Sequence, residues 1–379
     1  MVPSRQPGSD IVALPAEPAQ DRPRRTTSSQ GNRKILLIVF LGTFLLFLVG
    51  YLALYRVIDP RSEFGTGIFP APITNARQTK QDIFKRFLAQ GPIDGLILGS
   101  SRTMMMDPAS SPLANHRRFF NFGVENAMLE DDLAVYRWAL QQGADPKILI
   151  VGLDVEAFDS ANHIDDRLQS NARLLETVSP SAKNPLSIQR MRSNATVTSN
   201  ALTVQSAIAM TRAIELKVKP VPQVAVVSED GHNEFPVYEE LVRTTRFDLP
   251  KAISETLPVY TGKYQNMRGL SEQRKQWLID LIHDAQNHQC KVVLWITPLH
   301  PAMADVLEKS TPYGVRLQEV LAFLDHLPSQ FPETVRVFDF SLPDRFGGTD
   351  DDWIDGAHMN KRNAGRAFDF MMKSGANGI

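Results

Sequence analysis

Two short stretches of this chain carry residue types that together could perform nucleophilic catalysis. One contains Ser101, which follows an apolar run and a glycine at Leu96–Gly99, and the other contains Asp355 and His358. Serine, histidine and aspartate are the groups of a catalytic triad, in which the imidazole takes the hydroxyl proton and the carboxylate orients the imidazole. These residue types therefore indicate acyl chemistry through an acyl-serine.

The residues before Ser101 are typical of a buried strand that ends in a sharp turn. Open α/β sheets bind ligands at the carboxyl ends of their strands, and a helix that begins after the turn would add N–H donors there. The alternative is a plain strand-to-helix turn in which Ser100 and Ser101 act as caps. Asp355 and His358 could likewise only cap the helix that follows them. The occurrence of both stretches in one chain favours catalysis.

Apolar segments that alternate between strand and helix patterns predict the elements that position these residues. The predicted strands are Ile93–Leu98, Arg118–Phe122, Lys147–Leu153, Val292–Ile296 and Val335–Phe340, with helices between them and a last helix near Lys361. This rhythm predicts a three-layer α/β/α domain over residues 76–379, with a five-stranded, mainly parallel sheet. Residues from about 160 to 269 break the rhythm. They are predicted to be an insertion that contains one helix, Val204–Val218. The insertion as a whole would serve as a lid or an acceptor-binding region.

The clearest physical signal is the run Ile35–Tyr55, which holds 21 residues without a charge. As a helix it would be about 30 Å long, which matches the hydrocarbon core of a bilayer, so we predict one transmembrane helix. A cleaved signal peptide is the alternative, but the run is longer than the apolar core of such peptides and lacks a small-residue cleavage site.

The segments that flank this run predict its orientation. More basic residues precede it than follow it: Arg22, Arg24, Arg25, Arg33 and Lys34 against Arg56 and Arg61. The positive-inside rule then leaves the N-terminus in the cytoplasm and puts the large domain on the periplasmic or extracytoplasmic side of the cell membrane. Residues 1–34, rich in Pro, Ser, Arg and Gln, are predicted to be a disordered tail, and residues 56–75 a linker.

Composition excludes several other functions. Lys and Arg number 41 against 42 Asp and Glu, and no basic stripe with interleaved aromatics is present, so nucleic-acid binding is disfavoured. The single cysteine, Cys290, excludes internal disulfides and cysteine-based zinc sites. The eight histidines show no metal-ligand spacing, so no metal or cofactor is predicted.

Four blocks of this sequence resemble those of the SGNH or GDSL-like hydrolases and acyltransferases. Gly99-Ser100-Ser101 resembles the first block, and Asp355-x-x-His358 matches the last. Gly123, after the second strand, stands at the family's second block. The resemblance implies an SGNH-like, flavodoxin-like sheet with Ser101 as nucleophile and His358 and Asp355 completing the triad. It also implies that the N–H groups of Ser101 and Gly123 form the oxyanion hole.

The third block departs from the family pattern, because the usual Gly-x-Asn reads Gly152-Leu153-Asp154. An ionised carboxylate cannot donate a hydrogen bond to an oxyanion. We therefore expect Asp154 to pair with Arg102 or with backbone N–H groups rather than to face the site. Arg102 could offset this charge, bind an anionic sugar or phosphate, or be a solvated residue at a helix start. His300, after the fourth strand, could contact substrate or be exposed.

The Gly-Ser-Ser block together with one anchor resembles the envelope acyl-transfer branch of the family. That branch includes proteins that help to O-acetylate exopolysaccharides or to D-alanylate teichoic acids, often beside a multispanning acyl-exporting protein. The resemblance implies a membrane-anchored acyltransferase with an acyl donor and a glycan acceptor as its partners. Two alternatives stay open: an extracytoplasmic esterase or lipase, and a non-catalytic scaffold of a polysaccharide machine.

Overall fold

The computed structural model describes residues 28–61, 63–70, 76–114, 116–160, 164–184, 186–219 and 225–376. Its first helix, α1, runs from Ser28 to Ile58. The segment Arg33–Ile58 is apolar enough to cross a membrane, and an 18-residue stretch within it has a mean hydropathy of 2.8. The helix as far as Tyr51 forms a unit of its own, whereas Leu52 and the residues after it belong to the globular unit. Most of the predicted disordered tail, up to residue 27, lies outside the described residues.

The globular unit is built on a five-stranded sheet in which every pair of neighbouring strands is parallel. The five strands are β1 (Gly95–Gly99), β2 (Phe119–Asn121), β3 (Ile148–Leu153), β6 (Lys291–Ile296) and β7 (Val335–Asp339). They lie in the order β2-β1-β3-β6-β7, which is the flavodoxin-like order of a doubly wound sheet. The predicted α/β class, the number of strands and the preceding apolar helix are therefore confirmed.

Helices connect these strands and cover the sheet. Two short strands, β4 (Val226–Val227) and β5 (Asn233–Glu234), form a separate antiparallel pair. The remaining helices are α2 (Ala76–Ala89), α3 (Leu129–Gln141), α4 (Asp166–Ser170), α5 (Ala172–Val178), α6 (Ile188–Ala201), α7 (Val204–Val218), α8 (Pro236–Arg243), α9 (Leu249–Asn266), α10 (Glu272–Asn287), α11 (Pro301–Ser310), α12 (Tyr313–Asp325), α13 (Leu327–Gln330) and α14 (Lys361–Met371).

Two hydrophobic cores lie on opposite faces of the sheet, because successive side chains of a strand point to opposite sides. In β3, Leu149 and Val151 pack into the larger core with α3 and α10, whereas Ile148 and Ile150 pack into the smaller core with α14. The strands are buried on both faces, which explains why they read as continuous apolar runs in the sequence. The result is the three-layer arrangement that the sequence predicts.

Two regions differ from the prediction. The helix expected directly after Ser101 does not form, because residues 101–105 form turns instead. Short 3₁₀ helices then begin at Pro108 and Pro112, where proline removes the N–H that a continuing helix needs. The described residues of the insertion form six α-helices, α4–α9, and the β4–β5 pair, although one helix is predicted there. Helix α9 escapes prediction because Pro258 and Gly262 interrupt its sequence pattern.

Candidate active site

Ser101 stands just beyond the carboxyl end of β1, at the point where the strand order reverses. Gly99 makes the turn: its φ is +127°, and a Cβ there would lie 2.6 Å from the carbonyl oxygen of Gly152 in the neighbouring strand β3. No other residue fits so close to a parallel neighbour. The glycine therefore lets the chain leave the sheet sharply and carry Ser101 to the rim, where doubly wound folds bind ligands.

The loop after β7 positions Asp355 and His358. The N–H groups of Ala357 and His358 donate to one Asp355 oxygen at 2.7 and 2.9 Å, and the N–H of Ile354 donates to the His358 carbonyl at 2.8 Å. These bonds close a tight turn that places the imidazole on the carboxylate. Burial raises the pKa of Asp355, but hydrogen bonds and the attraction of His358 outweigh burial and hold this pKa below its usual value.

The structure brings the three predicted triad residues together. Ser101 Oγ lies 2.8 Å from His358 Nε2, and His358 Nδ1 lies 2.9 Å from both oxygens of Asp355. With the imidazole proton on Nδ1, facing the carboxylate, Nε2 accepts the hydroxyl proton of Ser101. The imidazole and carboxylate side chains are 26% and 21% exposed, so a ligand can reach the triad. The backbone hydrogen bonds of the loop fix its geometry.

A cavity of about 470 Å³ lies over the triad. One wall is a single face of α9, which belongs to the insertion, and Asn126 and Ile354 complete the lining beside the triad. The residues of α9 in this wall are Ala252, Glu255, Thr256, Val259, Tyr260 and Lys263. Their spacing of three and four residues is that of one helical face. The insertion thus contributes hydrogen-bonding groups to the cavity, a contribution that the sequence predicts only in general terms.

The two expected oxyanion donors are not equivalent in the structure. The N–H of Ser101 has no hydrogen-bond partner within the described part of the chain. The N–H of Gly123, in contrast, donates to Asn121 Oδ1 at 2.9 Å, and the Asn121 amide also donates to the carbonyls of Thr103 and Met106. Gly123 is thus occupied in holding the turn after β1, so this structure does not offer its N–H to a ligand.

Asn126 is a site residue that the sequence analysis missed. It lines the cavity and has a φ of +47°, an uncommon conformation that asparagine tolerates. Its Oδ1 accepts a hydrogen bond from Lys263 Nζ at 3.1 Å, which leaves its amide N–H₂ group without a partner among the described residues. Only its place three residues after Gly123, at the rim of β2, could have pointed to it. Chemically, a free amide donor beside a nucleophile can stabilise a developing oxyanion.

Arg102 points away from the cavity into the protein, although it directly follows Ser101. It is 2% exposed, its Nη2 contacts Glu156 at 2.7 Å, and its Nη1 lies 3.6 Å from Asp154. Asp154 also accepts a hydrogen bond from Thr297 Oγ1 at 2.6 Å. Burial raises the pKa of Asp154, and the charge of Arg102 offsets part of this effect. Asp154 is therefore paired inside the protein, and Arg102 is neither solvated nor free for an anionic substrate.

Glu156 is the second carboxylate of this buried cluster and was not anticipated from the sequence. It contacts Arg102, lies 3.5 Å from Lys263 Nζ, and accepts the Tyr264 hydroxyl at 2.5 Å. Burial would raise the pKa of Glu156, but Arg102 and Lys263 lower it to about 2. Because Lys263 contacts both Glu156 and the cavity residue Asn126, the buried cluster fixes one wall of the cavity.

His300 is neither exposed nor part of the cavity lining. Its Nδ1 accepts from Ala302 N at the start of α11, its Nε2 lies 3.1 Å from the Asp350 carbonyl, and its backbone N–H donates to the Gly356 carbonyl. These contacts tie the loop that carries Asp355 to the end of β6. His300 thus positions the triad loop from outside the cavity.

One group within the described residues could in principle hold a metal ion: Asp107, Asp230 and His232. His232 Nδ1 lies 2.6 Å from an Asp230 oxygen, and the Lys361 ammonium lies 3.5 Å from Asp107. Asp230 engages His232 Nδ1 and the lysine charge stands beside Asp107, so these groups form a hydrogen-bonded ion cluster in which His232 Nε2 has no hydrogen-bond partner among the described residues.

A comparison with known protein families gives no match, and neither does a comparison with curated proteins.

Proposed function

We propose that this protein is a membrane-anchored, extracytoplasmic acyltransferase of SGNH type that O-acetylates an envelope or exported polysaccharide. The observation that carries the proposal is the continuous line from Ser101 Oγ through His358 to Asp355, with bonds of 2.8 and 2.9 Å at a ligand-accessible rim. The serine hydroxyl contacts a histidine that can take its proton, and the histidine contacts a carboxylate that can orient it, as acyl transfer requires. The proposed reaction needs no cofactor.

The first half-reaction acylates Ser101. His358 Nε2 takes the hydroxyl proton while Oγ attacks the carbonyl carbon of the acyl donor, and the resulting oxyanion accepts from the Ser101 N–H and the Asn126 amide. When the tetrahedral intermediate collapses, the bond to the donor's leaving group breaks, and that group takes the proton from His358. Asp355 stabilises the imidazolium throughout but stays ionised itself.

The second half-reaction transfers the acyl group to an acceptor hydroxyl. His358 removes the hydroxyl proton, the acceptor oxygen attacks the acyl-serine carbonyl, and Ser101 leaves as the protonated hydroxyl. The cavity wall favours a sugar as the acceptor over a lipid chain, because Glu255, Thr256 and Lys263 present hydrogen-bonding groups along it. The wide opening of the site also suits a polymer rather than a small ester.

The anchor and its flanking charges support the envelope location. The apolar segment ends near Arg56, and six basic residues precede it within the first 34, against Arg56 and Arg61 after it. The positive-inside rule then puts the catalytic unit outside the cytoplasm. An acyl donor made inside the cell must cross the membrane, so we include a multispanning acyl-exporting protein as the partner. Reporter fusions after residue 60 should be active only outside the cytoplasm, and a cytoplasmic signal would contradict this orientation.

Trapping the acyl-enzyme tests the catalytic proposal. The full chain in detergent is mixed with p-nitrophenyl acetate and acetylated oligosaccharides, and the Ser101 peptide is analysed by mass spectrometry. We expect an acetyl group on Ser101 that moves to an unmodified oligosaccharide when one is added, and no adduct in Ser101→Ala. An adduct that is lost only to water would favour the esterase. A folded protein without any adduct would favour the non-catalytic scaffold.

A further inference from the structure

The pair of helices α6 and α7 in the insertion, here called the α6–α7 hairpin, exposes an unusual surface. Helix α7 buries mainly small side chains, Ser206, Ala209 and Ala213 together with Met210, and turns larger aliphatic ones outward. Val204, Ile208 and Val218 are 77%, 64% and 72% exposed. A surface helix of a water-soluble domain normally shows the reverse arrangement.

The exposed apolar residues form stripes rather than scattered points. On α7 the stripe consists of Val204, Ala207, Ile208, Thr211, Ile214 and Val218, and on α6 and its end it consists of Ile188, Met191, Ala195 and Leu202. Most of these positions are three or four residues apart, or seven in the case of Ala195 and Leu202, which keeps each set on one side of its helix. The hairpin thus presents an apolar stripe on each helix that no described part of the chain covers.

Charge around these stripes identifies what could cover them. Residues 183–219 contain six basic side chains and one acidic one: Lys183, Arg190, Arg192, Arg212, Lys217 and Lys219 against Glu215. Lys183, Arg192 and Lys219 are exposed and form no ion pair within the described residues. Apolar stripes flanked by Lys and Arg are typical of helices that lie in the headgroup region of a membrane.

The position of the hairpin agrees with this composition. Its turn contacts the residues that directly follow the apolar span: Arg61 Nε donates to Ser206 Oγ at 3.0 Å, and Asn200 donates to Glu63 at 2.7 Å. The uncharged run ends at Tyr55, so the residues that follow it as far as Arg61, and Glu63, must lie close to the membrane surface if α1 spans the bilayer. The hairpin turn, fixed to these residues, is therefore held near the same surface.

We infer that the α6–α7 hairpin lies in the headgroup region of the bilayer, with its apolar stripes in the lipid and its basic residues on anionic headgroups. The globular unit then has two attachments to the membrane, the covalent anchor and this surface. A second attachment restricts the rotation of the unit about its anchor, which fixes the direction in which the Ser101 cavity opens. The inference rests on the membrane anchor and is independent of the acyl chemistry.

Site-directed fluorescence on the full chain in vesicles tests this inference. Ile208→Cys is labelled with the environment-sensitive probe NBD, and Val315→Cys in α12, an equally exposed valine on another element, is the matched control. The native Cys290 is buried and does not compete for the label. In vesicles of phosphatidylglycerol and phosphatidylethanolamine, we expect the probe at 208 to emit at shorter wavelength, to be quenched by nitroxide lipids and to resist iodide. The probe at 315 should show the opposite behaviour.

Charge reversal separates lipid binding from other ways of covering the hairpin. Arg192→Glu combined with Lys219→Glu should shift the 208 probe toward the behaviour of the control in anionic vesicles, whereas acyl transfer to a soluble oligosaccharide should be unchanged. Equal iodide quenching at 208 and 315 would overturn the inference. Protection of residue 208 that rises with the protein-to-lipid ratio would also overturn it, since this would indicate a second copy of the chain.

Discussion

Two polar networks meet at one peptide bond, between Ser101 and Arg102, and they differ in almost every physical respect. The triad faces an open cavity, and its three groups form a single line in which each passes a proton or holds the next in place. The Arg102 cluster is closed to solvent, and its charges neutralise one another. The triad can react because its side chains are open to a ligand and its hydroxyl contacts a base. The Arg102 cluster supports the site because its charged groups are buried and paired with one another.

The largest effect should come from the triad. Ser101→Ala or His358→Ala should each lower kcat by about 10⁴-fold or more, and the double variant should lose little further activity because the residues act as a unit. Turnover of an activated ester by the full chain measures this. Ser100→Ala is the matched control: Ser100 does not line the cavity, and its Oγ accepts the Arg102 N–H at 3.1 Å and hydrogen-bonds to Asp154 in the buried cluster, so its loss should leave turnover within a few-fold. Retained turnover in Ser101→Ala would place the nucleophile elsewhere.

Asp355→Asn should cost less than loss of the nucleophile or about the same, about 10³–10⁴-fold in kcat. One Asp355 oxygen accepts the N–H groups of Ala357 and His358, so an asparagine would keep its oxygen there and turn its amide N–H₂ toward His358 Nδ1. That contact favours the imidazole tautomer with its proton on Nε2, which cannot accept from Ser101. An unchanged unfolding temperature is expected, and a large drop in it would mean that the loop, not the tautomer, was lost.

Glu156→Gln should affect stability more than chemistry. The pKa of Glu156 is lowered to about 2, so its carboxylate stabilises the folded state fully above its unfolded pKa of about 4.5, and this contribution is lost as the pH falls toward 2. At pH 7 the substitution should lower the free energy of unfolding by about 3 kcal/mol, because it leaves a buried arginine partly unpaired. Denaturant unfolding should show the difference between native and variant chains shrinking from pH 5 to pH 3.

Glu272→Gln is the control for this pH series. Glu272 pairs with Lys275 on the exposed side of α10, where its side chain is 85% exposed. Its loss should change the free energy of unfolding by less than about 1 kcal/mol. If Glu156→Gln were equally mild and independent of pH, the buried cluster would not be a stabilising network.

The two networks also differ in how far the sequence predicts them. Asp355 and His358 are three residues apart, so their contact could be predicted from the sequence. Buried strands form continuous apolar runs, and the third strand, predicted to begin at Lys147, begins at Ile148. Of the two partners of Arg102, Asp154 could be expected from the departure at the third block, whereas Glu156 could not be predicted in this way. Glu156 reaches Arg102 from the segment after β3, and Lys263 reaches Glu156 from helix α9, which contains Pro258. Pairings set by tertiary packing leave no periodic pattern in the sequence, and the use of Gly123 N–H by Asn121 is another such case.

Asp154→Asn should have the smallest effect, although the residue stands where the resembled family has a catalytic asparagine. Asp154 does not line the cavity, and its carboxylate accepts from Thr297 while Arg102 lies 3.6 Å away. An asparagine oxygen can keep the Thr297 hydrogen bond, and Arg102 keeps its shorter contact with Glu156. Burial raises the pKa of Asp154, which means that the folded protein already tolerates a neutral group at this position better than water does. Both kcat/KM and the unfolding temperature should therefore stay close to those of the native chain.

Asp154→Ala is the comparison that gives this result its meaning. Alanine leaves the Thr297 hydroxyl without its acceptor and opens a void beside Arg102, so we expect a loss of about 1–3 kcal/mol in stability and a lower turnover. Asparagine and alanine remove the same charge, so the hydrogen bond to Thr297 and the filled volume beside Arg102 distinguish them. If Asp154→Asn lost more than about a hundredfold in kcat/KM while its unfolding temperature stayed unchanged, about 2.7 kcal/mol of transition-state stabilisation would depend on the carboxylate itself. Asp154 would then belong to the reacting network rather than to the supporting one.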